Sequence, residues 1–152
     1  MFQKFRHFSQ LSRTEKCLFV EALATLAVLR LLLLLFSFKR LTRSLTKQKQ
    51  KDGITLLPFS TMQTGLAISN AIYRAANNTP WESTCLVQAL SAHRMLLKRG
   101  IPGVFYLGVM KEKTANKKIK AHAWTEVGER IITGSAGYEK FSIIAVYTWG
   151  KK

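Results

Sequence analysis

Apolar and polar positions follow two different periods along this chain, and the change comes near residue 100. Residues 11–38, "LSRTEKCLFVEALATLAVLRLLLLLFSF", form one long helical segment, with Ser12 and Glu15 at the spacing of a capping box. Glu21 and Arg30 interrupt the apolar run, so we expect a buried or interfacial core helix, although Cys17 to Phe38 is nearly long enough to cross a bilayer. "PFSTMQTGLAISNAIYRAANNTP" predicts a helix from Ser60 to Ala76, with Leu66, Ile68, Ile72 and Tyr73 as its apolar face and Asn77, Asn78 and Pro80 as its stop. "WESTCLVQALSAHRMLLKRG" predicts another, capped by Ser83 or Thr84, contributing Leu86, Leu90, Met95 and Leu97 to the core and ending at Gly100. Beyond Gly100 the period becomes two: "GVFYLGVMK", "IKAHAWTEV", "RIITG" and "FSIIAVYTW" read as four strands. Helices first and an antiparallel sheet afterwards give an α+β fold. We expect a helical region with a basic arm over 1–52 and a core over 53–152, joined as one unit.

Composition sharpens this picture. A chain of 152 residues, 47% hydrophobic with three prolines, can bury a core and is not a disordered segment. Its net charge of +16 is concentrated in "KRLTRSLTKQKQK" (39–51), expected as a second helix or a surface arm, and in "KEKTANKKIK" (111–120). Such a field favours anionic peptides, partners or peripheral contact with a membrane surface. No aromatic residues interleave with the basic ones as a nucleic-acid stacking surface requires, so nucleic acid is not expected as a partner. Two cysteines, Cys17 and Cys85, have no metal-ligand or disulfide-framework spacing and suit a reducing cytoplasm. Carboxylates are scarce: Asp52 is the sole aspartate, and Glu126 and Glu129, the close pair near a histidine, should straddle a hairpin turn and point to solvent. A paired-carboxylate hydrolase has nowhere to come from.

The candidate chemistry lies in Cys85 and His122. Cys85 falls in the first turn of a helix, where unpaired amides and the helix dipole favour a thiolate. A nucleophilic cysteine also needs a neighbouring base. His122, in "IKAHAWTEV", would share a strand face with Trp124 and Glu126. Glu126 is then about 13 Å along the strand, too far to touch the imidazole. His93 is about 12 Å along the helix axis from Cys85, a surface or interface residue and no base for it. Gln88, one turn on, could brace the site. Trp81, Trp124 and Trp149 read as core or pocket walls, and Cys17 as structural.

"CLVQALSAHRMLLKRGIPGVFYLGV" followed by "AHAWTEVGERIITG" resembles the leader peptidases of bacterial lasso-peptide biosynthesis, members of the transglutaminase-like superfamily. The likeness runs over Trp81–Gly134 and implies a papain/transglutaminase-like core. It implies a cysteine protease that removes the leader from a ribosomally made precursor (RiPP maturation), with Cys85 as nucleophile and His122 as general base and then acid. The implied partners are the precursor's leader peptide, a separate leader-recognition protein and an ATP-dependent lasso cyclase. No cofactor is implied. An acyl transferase on the same scaffold and a non-catalytic precursor-binding module are the competing readings.

One departure matters. The third catalytic residue of that family is often an aspartate about a dozen residues after the histidine, and Gly134 stands there. If Gly128 and Glu129 form a tight turn, Val127 pairs with Arg130 and His122 falls opposite Ser135. The group that orients the imidazole is therefore open: Ser135, Thr133, Glu139 or a backbone carbonyl.

Overall fold

The computed structural model describes residues 11–41, 46–48, 57–111 and 119–150. Most of the expected basic arm and residues 112–118 of the second basic run lie outside the described residues. Helix α1 spans Arg13–Leu35, α2 Phe59–Ala76 and α3 Cys85–Leu97, with a single helical turn at Phe38–Leu41. The strands are β1 (Thr46–Gln48), β2 (Gly103–Lys111), β3 (Ile119–Val127), β4 (Arg130–Thr133) and β5 (Ser142–Trp149). The expected α+β order is the observed one, and every strand pairs antiparallel in the order β1-β5-β2-β3-β4.

Local chemistry sets the element ends. The Ser12 hydroxyl accepts from the Glu15 amide at 3.2 Å while the Glu15 carboxylate accepts from the Ser12 amide at 2.9 Å, closing the capping box at α1. At α3 the Thr84 hydroxyl accepts from the Val87 amide, and the chain leaves the far end through Gly100 at φ +64°, a conformation suited to glycine. The hairpin register begins as expected, with Val127 opposite Arg130 across a turn containing Gly128 at φ +61°.

Helices α2 and α3 lie on one sheet face, and α1 packs across both of them. Leu18, Ala22, Leu26 and Leu29, spaced three or four apart on α1, join Ile68 and Ile72 of α2 and Val87, Leu90, Met95 and Leu96 of α3 over Phe105, Ala123, Val127 and Ile132 of the sheet. Three polar groups inside this layer are paired: the Ser69 hydroxyl donates to the Ile132 carbonyl, Thr125 to Ala89, and the Trp149 indole to Ile101. On the other sheet face Tyr106, Trp124 and Val146 form a smaller cluster, roofed by Tyr138 and Phe141. Expectation and structure part at four side chains of the helices. Leu66 and Leu97 are exposed rather than core, because each lies on the outer side of its helix. Cys17 is exposed as well, on the outer side of α1, so it does not build the core. His93 is not at the surface: it is 5% exposed and packs edge-on against Trp149 at 4.7 Å.

Candidate active site

Cys85 is the first residue of α3 and packs half-buried against the main core. Its approach loop is braced from within: Thr79 Oγ1 donates to the Trp81 carbonyl at 2.8 Å, and Gln88 Nε2 donates to the Ser83 carbonyl at 2.7 Å. Gln88 thus holds the loop that delivers the cysteine. The Trp81 indole N–H is buried without a partner.

Two contacts tie α3 to the sheet. Thr125 Oγ1 reaches the Ala89 carbonyl at 3.1 Å, and His93 packs edge-on against Trp149, whose strand partner Gly103 adjoins the Val127 end of β3. Ala123, Thr125 and Val127 point into the helix-facing core, so His122, Trp124 and Glu126 project from the other face. Cys85 packs with the helix-side core while His122 projects from the other face of β3, so the structure does not bring the two together, and no hydrogen bond joins thiol to imidazole.

The imidazole is held firmly. Its Nε2 lies 2.8 Å from the Gly134 carbonyl, and the ring is layered against Phe141 at 4.9 Å and Trp124 at 5.9 Å between centroids. A carbonyl can only accept, so Nε2 carries the proton and Nδ1 presents the lone pair in the neutral ring. The tautomer is fixed by that one contact. Gly108 faces His122 across the β2–β3 ladder, and a Cβ there would stand 2.8 Å from Phe141 Cβ and 2.9 Å from Trp124 Cζ3. Glycine leaves the aromatic roof room to close over the sheet.

Gly134 is the hinge of the arrangement. Its amide donates to the Tyr73 hydroxyl of α2 at 3.0 Å, while its carbonyl holds His122, so one residue links the helical layer to the far-face histidine at the sheet edge where β4 ends. It sits at φ +76°, and a Cβ would come within 2.4 Å of the Ala123 carbonyl oxygen and 2.8 Å of Trp124 Cβ. This backbone has no room for the aspartate that the sequence resemblance leads one to look for.

The open question of the orienting group is answered by that carbonyl. Thr133 lies on the core side opposite Thr125, with its hydroxyl buried and unpartnered, while Ser135 and Glu139 are exposed and make no bond to the ring. The expected register fails by one residue: the ladder shifts between Thr125 and Glu126, pairing Thr125 with Thr133, so His122 does not face Ser135. Glu126 does not point to solvent. It is half-buried and accepts a hydrogen bond from the Tyr106 hydroxyl, whose pKa burial chiefly, and Glu126 next, push up from 10. Tyr106 therefore stays a neutral donor beneath Trp124, on which it stacks at 5.3 Å.

Burial and then the Arg94 charge pull the His93 pKa down to about 4, and its Nε2 has no partner. It is a neutral core residue. Sequence reasoning missed Tyr73, Gly108 and Phe141 as parts of the histidine's setting. A glycine inside a strand pattern was the one available signal, at Gly108.

The family model described as the transglutaminase-like superfamily matches residues 22–146. No curated protein and no solved structure matches the chain.

Proposed function

The chain belongs to the transglutaminase-like superfamily, whose members include cysteine peptidases and transglutaminases, and from that premise we propose that it is a cysteine peptidase acting on a ribosomally made precursor peptide, as the lasso leader peptidases do. The observation that carries this reading is a histidine with a fixed tautomer in a transglutaminase-like chain whose cysteine opens a helix. Cys85 Sγ attacks the scissile carbonyl and His122 Nδ1 takes the thiol proton. The tetrahedral intermediate collapses to a thioester as the imidazolium protonates the leaving amine. Water, deprotonated by the same nitrogen, then attacks the thioester and returns the free thiol. The reading requires a rearrangement in the substrate complex that brings Sγ and Nδ1 together from opposite faces of β3.

Free Cys17 and Cys85 suit a reducing cytoplasm, with contact at the membrane face through α1. The partners on this reading are the leader of the precursor, a separate leader-recognition protein and the ATP-dependent cyclase that takes the released core. The test is mass spectrometry of a precursor peptide from the neighbouring genes, incubated with the protein and its recognition partner, with and without a large excess of a primary amine. Two fragments whose masses add up to the peptide plus one water support hydrolysis. A conjugate with the amine in place of water would make the protein an acyl transferase. Intact peptide, with binding demonstrated, would leave a precursor-binding module.

A further inference from the structure

We propose that the outer face of α1 is a docking surface for a bilayer rich in anionic phospholipid, on which the helix lies in the plane of the interface. Steps of 100° place Cys17, Val20, Ala24, Val28, Leu31 and Leu35 within an arc of about 80°. This arc lies opposite the one that buries Leu18, Ala22, Leu26 and Leu29. Leu31, Leu34 and Leu35 are 59%, 70% and 73% exposed, which forms an apolar patch that a helix serving only the core would not carry.

The charges around the patch identify its occupant. Both carboxylates of α1 are taken up by the protein's own cations: Glu21 by Arg99 at 2.6 Å and Lys98 at 3.2 Å, Glu15 by Arg74 at 3.6 Å. At the C-terminal end the apolar patch passes directly into cations, with the Arg40 guanidinium 5.2 Å from the centre of the Phe36 ring and Lys39 exposed beside it. The sequence continues with Arg43, Lys47, Lys49 and Lys51 before any acid, within a chain of net charge +16. An apolar stripe flanked by unbroken positive charge complements an anionic headgroup layer over an acyl interior.

The length and hydropathy of α1 would also let it cross a bilayer. Its inner arc excludes that geometry for the folded chain, because Ala22 and Leu26 are fully buried against α2 and α3. A spanning helix would have to leave that core. An interfacial helix keeps the core and covers the exposed arc.

The experiment is flotation of the full-length protein with vesicles of phosphatidylglycerol and phosphatidylcholine, or of phosphatidylcholine alone, at low and high salt. We expect flotation with the anionic vesicles, loss on adding salt, and little with the neutral ones. The pair Leu31→Gln/Leu35→Gln and the pair Lys39→Gln/Arg40→Gln should each weaken binding by about tenfold or more. All four side chains are exposed, so thermal melts should not move. Cys85→Ala should float like the natural protein, which separates this surface from the peptidase reading. Flotation that ignores the leucine pair would overturn the proposal and assign the binding to the basic segment alone. So would an absence of flotation together with a dimer in sedimentation that the leucine pair disperses, which would give the face to a second copy of the chain.

Discussion

Replacing Gly134 by aspartate sets two lines of reasoning against each other. Family resemblance says that the substitution restores a missing orienting carboxylate and should raise activity. The structure says the opposite. At φ +76° a side chain costs about 1 kcal/mol, somewhat less for aspartate than for most residues. The greater cost comes from the Cβ, 2.4 Å from the Ala123 carbonyl oxygen and 2.8 Å from Trp124 Cβ. The first contact is with backbone and cannot be relieved by rotating a side chain, so the segment after β4 must move out by about 1 Å to restore van der Waals distance. That shift breaks the 2.8 Å contact to His122 and the 3.0 Å contact to Tyr73, each worth about 1 kcal/mol net. We expect a loss of about 3 to 4 kcal/mol in urea denaturation with an unchanged slope, and a fall in peptide cleavage because the imidazole loses its acceptor. Gly134→Ala should lose nearly as much. A Gly134→Asp protein as stable as the natural one and more active would overturn the steric reading and show that a carboxylate fits beside the ring.

Tyr73→Phe removes only the hydroxyl that receives the Gly134 amide, so stability should fall by about 1 to 2 kcal/mol and kcat should drop several-fold with KM nearly unchanged. Acid should weaken the fold through His93. The unfolded chain protonates His93 near 6.5 whereas the folded chain resists until about 4, so the contribution is intact above 6.5 and lost as pH falls towards 4. That difference corresponds to about 3 kcal/mol, and denaturation midpoints measured from pH 7 to pH 4 should show it, with the decline flattened in His93→Leu. Gly108→Val should loosen the aromatic roof, read as a loss of near-ultraviolet circular dichroism from Trp124 and its neighbours, because its Cβ would press on Phe141 and Trp124. Glu21→Gln should cost about 1 kcal/mol by releasing Arg99 and Lys98 from α1, an effect measurable as a lowered melting temperature.

Where periodicity and caps speak, the sequence is readable. The alternation from Gly103 to Trp149 fell on three long strands and the short β4, and Ser12, Glu15, Thr84 and Gly100 marked helix ends that the structure keeps. Cys85 and His122 could be singled out because a helix-opening cysteine and a strand-borne histidine are rare residues in telling places. The rest depended on contacts between distant segments. A ladder shift at Thr125 leaves no mark in local composition, yet it decides which residue His122 meets. His93 looks like an ordinary polar position on α3 until Trp149 closes over it from the last strand. The acceptor for His122 is a backbone carbonyl, which side-chain identities cannot announce, and its placement depends on Tyr73 in a different helix. The exposed arc of α1 is apolar in the same way as its buried arc, so hydropathy alone could not tell which side faces the core.

If Cys85 and His122 act together on a peptide carbonyl, intact-protein mass spectrometry of an acid-quenched single turnover with the precursor peptide should catch them doing so. We expect a transient mass increase equal to the acyl fragment, mapped to Cys85. It should be absent in Cys85→Ala and should not accumulate in His122→Ala. Peptide cleavage that persists in Cys85→Ala, or an adduct that forms at an undiminished rate without His122, would contradict the joint role of the two residues.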